Sequence, residues 1–252
     1  MFNFFGKKAG QIKGAACVGA KDKTEDVKWT ALKSAIDAQK KKDPLMGLKI
    51  GAKEVNQRLI NGLKNKKGVH IESFLTVIGS LAGFSCQMSV REALKNAEAT
   101  GEKIVWATAS GADGKKYYFG DALNKPLAES NYSIWNLVAG AVEKLGAKLP
   151  DVSEIFKHVA GTVGSDTFGI PRIPNSHSPG DLPMNYLKVI WPCIFPVAAQ
   201  FCDNPSEWPI LFGIAIQEAM FMAKDVIDPG LAATIVMECA IPMSKVDLPE
   251  FY

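Results

Sequence analysis

The sequence predicts a mainly α-helical (α+β) globular domain that carries one small antiparallel β-hairpin near residues 103–120. Along most of the 252 residues, apolar side chains recur every three or four positions, as they do on amphipathic helices. One stretch instead holds two short β-branched and aromatic runs around a turn, which is the pattern of a hairpin. The composition, 47% hydrophobic and 22% charged, is ordinary for a globular protein and excludes wholesale disorder.

Charge divides the chain into a basic front and an acidic back. The first 68 residues contain 16 Lys+Arg and 6 Asp+Glu, whereas the remaining 184 contain 13 and 20, which gives the net charge of +3. Such a division indicates either that the front binds something anionic or that the two parts of the chain face each other.

The domain prediction follows from local composition. Residues 1–21 are rich in Gly, Ala and Lys and are expected to form a flexible basic N-terminal segment. Residues 22–252 are expected to form a single mostly helical domain, and a further boundary near residue 101 stays open. The aromatic start is followed at once by Gly and Lys, so no apolar run of a secretory signal is present. Five scattered cysteines without a C-x-x-C pair predict free thiols, and we expect a cytoplasmic protein.

Before the hairpin, the periodicity predicts four helices, at residues 24–42, 51–64, 70–84 and 89–100. The first has acidic residues in its first turn and three lysines in its last, as the helix dipole favours. Ser89 and Glu92 form a capping box that would open the fourth. On the third, Gly79 and Gly83 share a face of small residues that would let another helix approach closely.

The hairpin is predicted from residues 104–109 and 117–119, which flank a turn rich in Gly, Asp and Ser. Two helices are predicted after it, at residues 133–145 and 151–160. Three very apolar helices are predicted at residues 184–201, at 204–226 and from 228 to the residue before Pro242. Glu218 and Glu238 lie within this apolar group. Because an unpaired buried carboxylate is costly, we expect each to have a partner, with Arg172 or His158 as the natural counter-group.

Between these helical groups, residues 161–183 contain four Gly and four Pro, so neither a helix nor a strand can persist there. Loops of this length inside a domain are usually functional or disordered. Apolar residues within this loop predict that it is ordered and packed on the core. The residues that we expect to form a binding surface on it are Phe168, Ile170, Arg172, Asn175, His177 and Asp181.

The favoured hypothesis is a non-enzymatic protein-binding module that uses the loop 161–183 and the hairpin as contact surfaces. A protein partner is expected, and association of identical copies stays open. No catalytic or cofactor-binding motif is present in the sequence, so no cofactor is predicted. The three histidines lack clustered partners, so no metal site is predicted.

Two alternatives remain open. In the first, the protein is a hydrolase-like enzyme in which His177, Asp181 (or Asp166) and Arg172 converge in a pocket, with His177 as a general base or as the group that orients a nucleophile. In the second, the basic segment 7–67 binds nucleic acid or an anionic membrane surface electrostatically.

Overall fold

A computed structural model describes residues 23–100 and 106–252, and it confirms the mainly helical fold with a small antiparallel sheet. The predicted N-terminal segment 1–21 and the alternative boundary near residue 101 lie outside the described residues. Three helices precede the sheet: α1 (Lys23–Lys40), α2 (Met46–Leu63) and α3 (Ile71–Thr100). The sheet consists of β1 (Ala107–Ser110) and β2 (Lys116–Phe119), which pair antiparallel with Thr108 opposite Tyr118.

The remaining helices follow the sheet in chain order. They are α4 (Asp121–Asn124), α5 (Ile134–Lys144), α6 (Val152–Gly161), α7 (Pro183–Ala199), α8 (Glu207–Ala223) and α9 (Pro229–Met243). A π-helical turn, Lys125–Glu129, continues α4, and the sequence patterns did not predict either of these two elements. Helices α5, α6 and α9 have side-chain N-caps, because Ser133, Asp151 and Asp228 each accept a hydrogen bond from a backbone N–H of their helix.

Helix α3 corrects one prediction, because it is a single helix of 30 residues where two helices were expected. No Gly or Pro stands between Phe84 and Ser89 to end the first of them, and all of these residues are buried. Ser89 therefore lies inside the helix and caps nothing. The stretch Ile71–Ala97 is long and apolar enough to span a membrane by length and hydropathy, but it is buried within the protein, as a core helix would be.

The close approach predicted for the small-residue face of α3 is present, and its neighbour is α9. A Cβ atom added to Gly83 would lie 1.9 Å from the carbonyl oxygen of Ala240, and one added to Gly79 would lie 2.7 Å from that of Val236. Only glycine lets the two backbones come this close. Helix α9 is buried almost throughout and packs on α3, α5 and α6, so the α3–α9 pair forms the centre of the core.

The thiols of Cys86, Cys202 and Cys239 are free, as predicted, and Cys17 lies outside the described residues. Cys193 corrects the prediction, because it is disulfide-bonded. Burial raises the pKa of the Cys86 and Cys239 thiols far above its ordinary value, and raises that of Cys202 to about 12. Because the thiolate is the reactive form, the raised pKa values indicate thiols of low reactivity.

Candidate functional site

The loop 161–183 is fastened to the hairpin near its start. The hairpin turn meets the loop so closely that a Cβ atom on Gly164 would lie 2.5 Å from the backbone nitrogen of Ala112. Gly164 also has a φ of +76°, a conformation that residues with a side chain rarely adopt. Next to this contact, the rings of Tyr117 and Phe168 pack edge to face with centroids 4.8 Å apart. The hairpin and the loop therefore form one continuous surface.

Arg172 fastens the middle of the loop to the core. Its Nε and Nη2 atoms lie 3.1 and 3.0 Å from Oε1 of Glu238, and its backbone N–H donates to Oε2 at 3.3 Å. Glu238 is only 3% exposed, so these contacts compensate a carboxylate that has almost no access to water. Nη2 also donates to the carbonyl oxygen of Glu154, 3.2 Å away. The sequence suggested Arg172 or His158 as the counter-group of Glu238 and Glu218, and Arg172 pairs with Glu238. Glu218 instead accepts a hydrogen bond from the side-chain amide of Asn56 at 3.3 Å.

The end of the loop is held by the first turn of α3. His177 Nδ1 lies 2.8 Å from Oε1 of Glu72, and the second carboxylate oxygen of Glu72 lies 3.3 Å from Nε2 of His70. Glu72 thus bridges two imidazoles, one of which belongs to the loop. No sequence pattern indicated this contact, because the two residues that form it are 105 positions apart.

Ser73 supplies the last attachment point. Its Oγ accepts hydrogen bonds from the backbone N–H of Gly180 at 2.8 Å and from the hydroxyl of Tyr186 at 3.2 Å. Because both lone pairs are engaged, the hydroxyl proton of Ser73 is directed to His70 Nδ1, 2.9 Å away. Ser73 has no solvent exposure, so this hydroxyl is a structural anchor and cannot reach a substrate.

A cleft of about 400 Å³ opens between the hairpin, the loop and the C-terminal segment, and we call it the hairpin–loop cleft. Tyr117 and Phe168 contribute aromatic surface to it, and Met184 adds an apolar side chain. Charged side chains of both signs line the remainder; they are Asp113, Lys115, Lys116, Asp166, Lys188, Asp247 and Glu250. The cleft therefore combines aromatic surface with charges of both signs.

Electrostatic pairing within the cleft leaves some charges engaged and others available. Lys115 Nζ lies 3.0 Å from Asp113, and its hydrogen bond lowers the pKa of that carboxyl. Asp113 in turn accepts a hydrogen bond from Tyr117, and burial together with this bond raises the pKa of the Tyr117 hydroxyl to about 12. Within the described part of the chain, Lys116 and Asp166 have no ion pair, so one charge of each sign is left for a partner.

The wall opposite the loop is the segment after α9, and buried groups hold it in place. The side-chain amide of Gln87 donates to the carbonyl oxygens of Ser244 and Val246, at 3.0 and 2.8 Å. Asp247 accepts hydrogen bonds from the hydroxyls of Tyr118 and Tyr252. The Arg91 guanidinium lies 3.6 Å from Asp247 and stacks on the ring of Tyr252.

Lys245 stands next to this wall and is 4% exposed. Its ammonium lies 4.9 Å from the ring centroid of Phe119 and 5.9 Å from that of Phe156, so aromatic faces are its main electrostatic compensation. Burial lowers the pKa of Lys245 to about 8. The segment after α9 therefore contains a buried ammonium group that is costly to keep charged.

Each of the three residues of the hydrolase hypothesis has a different hydrogen-bond partner in the structure. His177 contacts Glu72 and Arg172 contacts Glu238, whereas Asp181 accepts hydrogen bonds from the backbone N–H of Leu182 and the side chain of Asn185. This arrangement gives the hydrolase hypothesis no support. Among residues 23–100 and 106–252, no group of three or more His, Cys, Asp or Glu side chains is placed to hold a metal ion.

The predicted binding residues are spread along the loop. Phe168 lines the cleft, Ile170, Arg172 and Asn175 are exposed, and His177 and Asp181 are partly buried. The prediction missed the C-terminal wall, because no local pattern shows that residues near 247 fold back onto the hairpin.

Three cations of the basic front form ion pairs within the protein, whereas the electrostatic hypothesis needs cations that are free to bind nucleic acid or an anionic membrane. Lys40 pairs with Asp203 of the acidic back at 2.5 Å, whereas Lys49 and Arg58 pair with Asp43 and Glu54 of the front itself. The pair with Asp203 shows that the two parts of the chain face each other at this point. Part of the segment 7–67 lies outside the described residues.

Comparison with known proteins gives no family model that matches this chain, and no match among curated proteins or solved structures.

Proposed function

We propose that this protein is a protein-binding module whose partner contacts the hairpin–loop cleft and the exposed side of the loop 161–183. The observation that supports this most is that the loop is fastened at Gly164, Arg172, His177 and Gly180 and still keeps one side open to solvent. A loop held in this way loses little conformational entropy when a partner binds.

The exposed side of the loop offers the apolar anchors that a protein interface needs. Ile170 and Leu182 are 43% and 44% exposed, although side chains of this type are usually buried. A few buried apolar or aromatic contacts contribute most of the affinity of an interface, and the surrounding polar residues mainly exclude water. In the proposed complex, Ile170 and Leu182 supply apolar contacts, and Lys116 and Asp166 supply the charged surround.

The partner is therefore expected to be a protein segment with at least one large apolar side chain and charges of both signs. The cleft, at about 400 Å³, is large enough to take one or two side chains but not a folded element. No observation favours the hydrolase or the electrostatic alternative over this function.

Site-specific photo-cross-linking tests the proposal. A photoreactive amino acid at position 170 should capture a specific protein, and one at position 226 should not. Val226 is the matched control, because it is apolar and 71% exposed but does not line the hairpin–loop cleft. Ile170→Asp should reduce binding of the captured protein at least about tenfold, whereas Val226→Asp should leave it unchanged.

Equal capture at positions 170 and 226, or binding that tolerates Ile170→Asp, would contradict the proposed surface. Capture of a second copy of this chain at position 170 alone would identify the partner as the protein itself.

A further inference from the structure

A second cleft, of about 470 Å³, lies where four elements meet, and it shares no lining residue with the hairpin–loop cleft. We call it the α8 cleft. The C-terminal half of α3 forms one wall, α4 and its π-helical turn form another, and the turn before α5 and the first turn of α8 complete it. Its lining residues include Ser89, Ala93, Lys125, Pro126, Pro209 and Ile210.

The walls of the α8 cleft are mostly apolar. Ala93, Pro126, Pro209 and Ile210 all contribute to its surface, and its volume is within the usual range of small-molecule sites. The π-helical turn that carries Lys125 and Pro126 is also unusual. Such turns are rare in proteins and occur frequently at functional sites.

Ser89 is an unpaired polar group in this apolar surface. It is 7% exposed, and within the described part of the chain its hydroxyl has no hydrogen bond. The buried serines Ser80 and Ser85 of the same helix each donate to a carbonyl oxygen of the preceding turn, at 2.7 Å in both cases. Ser89 lines the cleft, and its hydroxyl has no such partner among the described residues, so it is available to a ligand there.

Lys125 gives the cleft its charge. It is exposed and forms no ion pair with any described residue, and it is the sole charged side chain among the lining residues. No carboxylate lines the cleft to compensate it. A ligand with an anionic group could therefore pair with Lys125 while its apolar part covers Pro126, Pro209 and Ile210.

We propose that the α8 cleft binds a small carboxylate with an apolar body, in which the carboxylate pairs with Lys125 and one of its oxygens accepts the hydroxyl proton of Ser89. The volume suits a ligand with on the order of ten non-hydrogen atoms. A medium-chain fatty acid has this size and chemistry.

Isothermal titration calorimetry with octanoate tests the proposal on the full chain. Octanoate should bind saturably, and octanol, which has the same apolar chain without the charge, should bind at least about tenfold more weakly. Lys125→Gln should weaken octanoate binding to a similar extent. Lys144→Gln is the control, because Lys144 is also exposed and lies outside the cleft.

Two further variants distinguish an effect on ligand binding from an effect on folding. Ser89→Ala should weaken octanoate binding and leave the melting temperature unchanged or higher, since it removes an unpaired hydroxyl. Ala93→Trp should fill the cleft and abolish binding, with an unchanged far-ultraviolet circular dichroism spectrum as the check on folding.

Absence of saturable octanoate binding would overturn the proposal, and so would equal binding of octanoate and octanol. Equal binding by Lys125→Gln and Lys144→Gln would also overturn it, because the proposed charge pair would then make no contribution.

Discussion

The two clefts of this protein are similar in volume and differ in what forms their walls. The hairpin–loop cleft is built from a hairpin, a long loop and a C-terminal segment, and seven of its lining side chains are charged. The α8 cleft is built largely from helices, and Lys125 is its sole charged lining residue. Irregular segments thus form a polar surface suited to a macromolecule, whereas helices leave an apolar space suited to a small ligand.

The walls of the hairpin–loop cleft need specific contacts that the walls of the α8 cleft do not. A loop and a chain terminus have few hydrogen bonds of their own, so Glu238, Glu72 and Ser73 hold the loop, and Gln87 holds the C-terminal segment. Disrupting these contacts should therefore change one cleft and leave the other intact.

The largest effect is expected from Arg172→Met. This variant removes the guanidinium and leaves Glu238 buried without its counter-charge, which should lower the free energy of unfolding by about 3 kcal/mol. Chemical denaturation measures this loss. Partner binding at the hairpin–loop cleft should weaken, and octanoate binding at the α8 cleft should not change.

The double variant Arg172→Met/Glu238→Leu is the matched control, because it removes the buried charge together with its partner. It should recover most of the lost stability. If it is as unstable as Arg172→Met, the ion pair is not what holds the middle of the loop.

Lys245→Met should stabilise the protein by about 2 kcal/mol at pH 7, since it removes a buried ammonium. The pKa of Lys245 is about 8 in the folded protein, below its ordinary value of 10.5. Between these two values the unfolded state binds more protons, so this residue makes the wild-type protein more stable as the pH rises from 8 to 10.5. The advantage of Lys245→Met should therefore shrink over that interval.

Denaturation curves of the wild-type protein and Lys245→Met at pH 7 and pH 10 measure this change. Lys144→Met, at an exposed position, should show no such dependence. An advantage of Lys245→Met that is the same at both pH values would mean that Lys245 is not a charged buried group.

The smallest effect is expected from Ser73→Ala, which leaves the backbone N–H of Gly180 without its acceptor. The free energy of unfolding should fall by about 1 kcal/mol, as for the loss of a buried hydrogen bond. Ser80→Ala is the control, because its hydroxyl donates only within α3 and touches no loop residue. If the two substitutions change partner binding equally, Ser73 does not act by holding the loop.

Features with a local signal were predicted from the sequence, and features that depend on long-range contacts were not. Two β-branched and aromatic runs around turn residues were enough to place the hairpin, and Asp228 followed by Pro229 was enough to place the start of α9. The pairing of Arg172 with Glu238 was suggested because a carboxylate in an apolar helix needs a cation. Ser89 followed by Glu92 led to the wrong prediction that a new helix begins there, because the same residues that cap a helix can also lie inside one.

No local sequence pattern indicated the contacts that define the two clefts. Glu72 and His177 are 105 residues apart, and Gln87 and Val246 are 159 apart, so only the folded chain brings them together. The α8 cleft is formed by four separate elements, and one of them, the π-helical turn, has no simple sequence pattern.

Amide hydrogen exchange of the loop 161–183 is the most direct measurement of the central claim, that this loop is held in one position with one side exposed. The N–H groups of Arg172 and Gly180 donate to Glu238 and Ser73, and they should exchange much more slowly than the amide of Ser176. Protection of Gly180 should be lost in Ser73→Ala while that of Arg172 persists. Uniformly fast exchange along the whole loop would contradict the account.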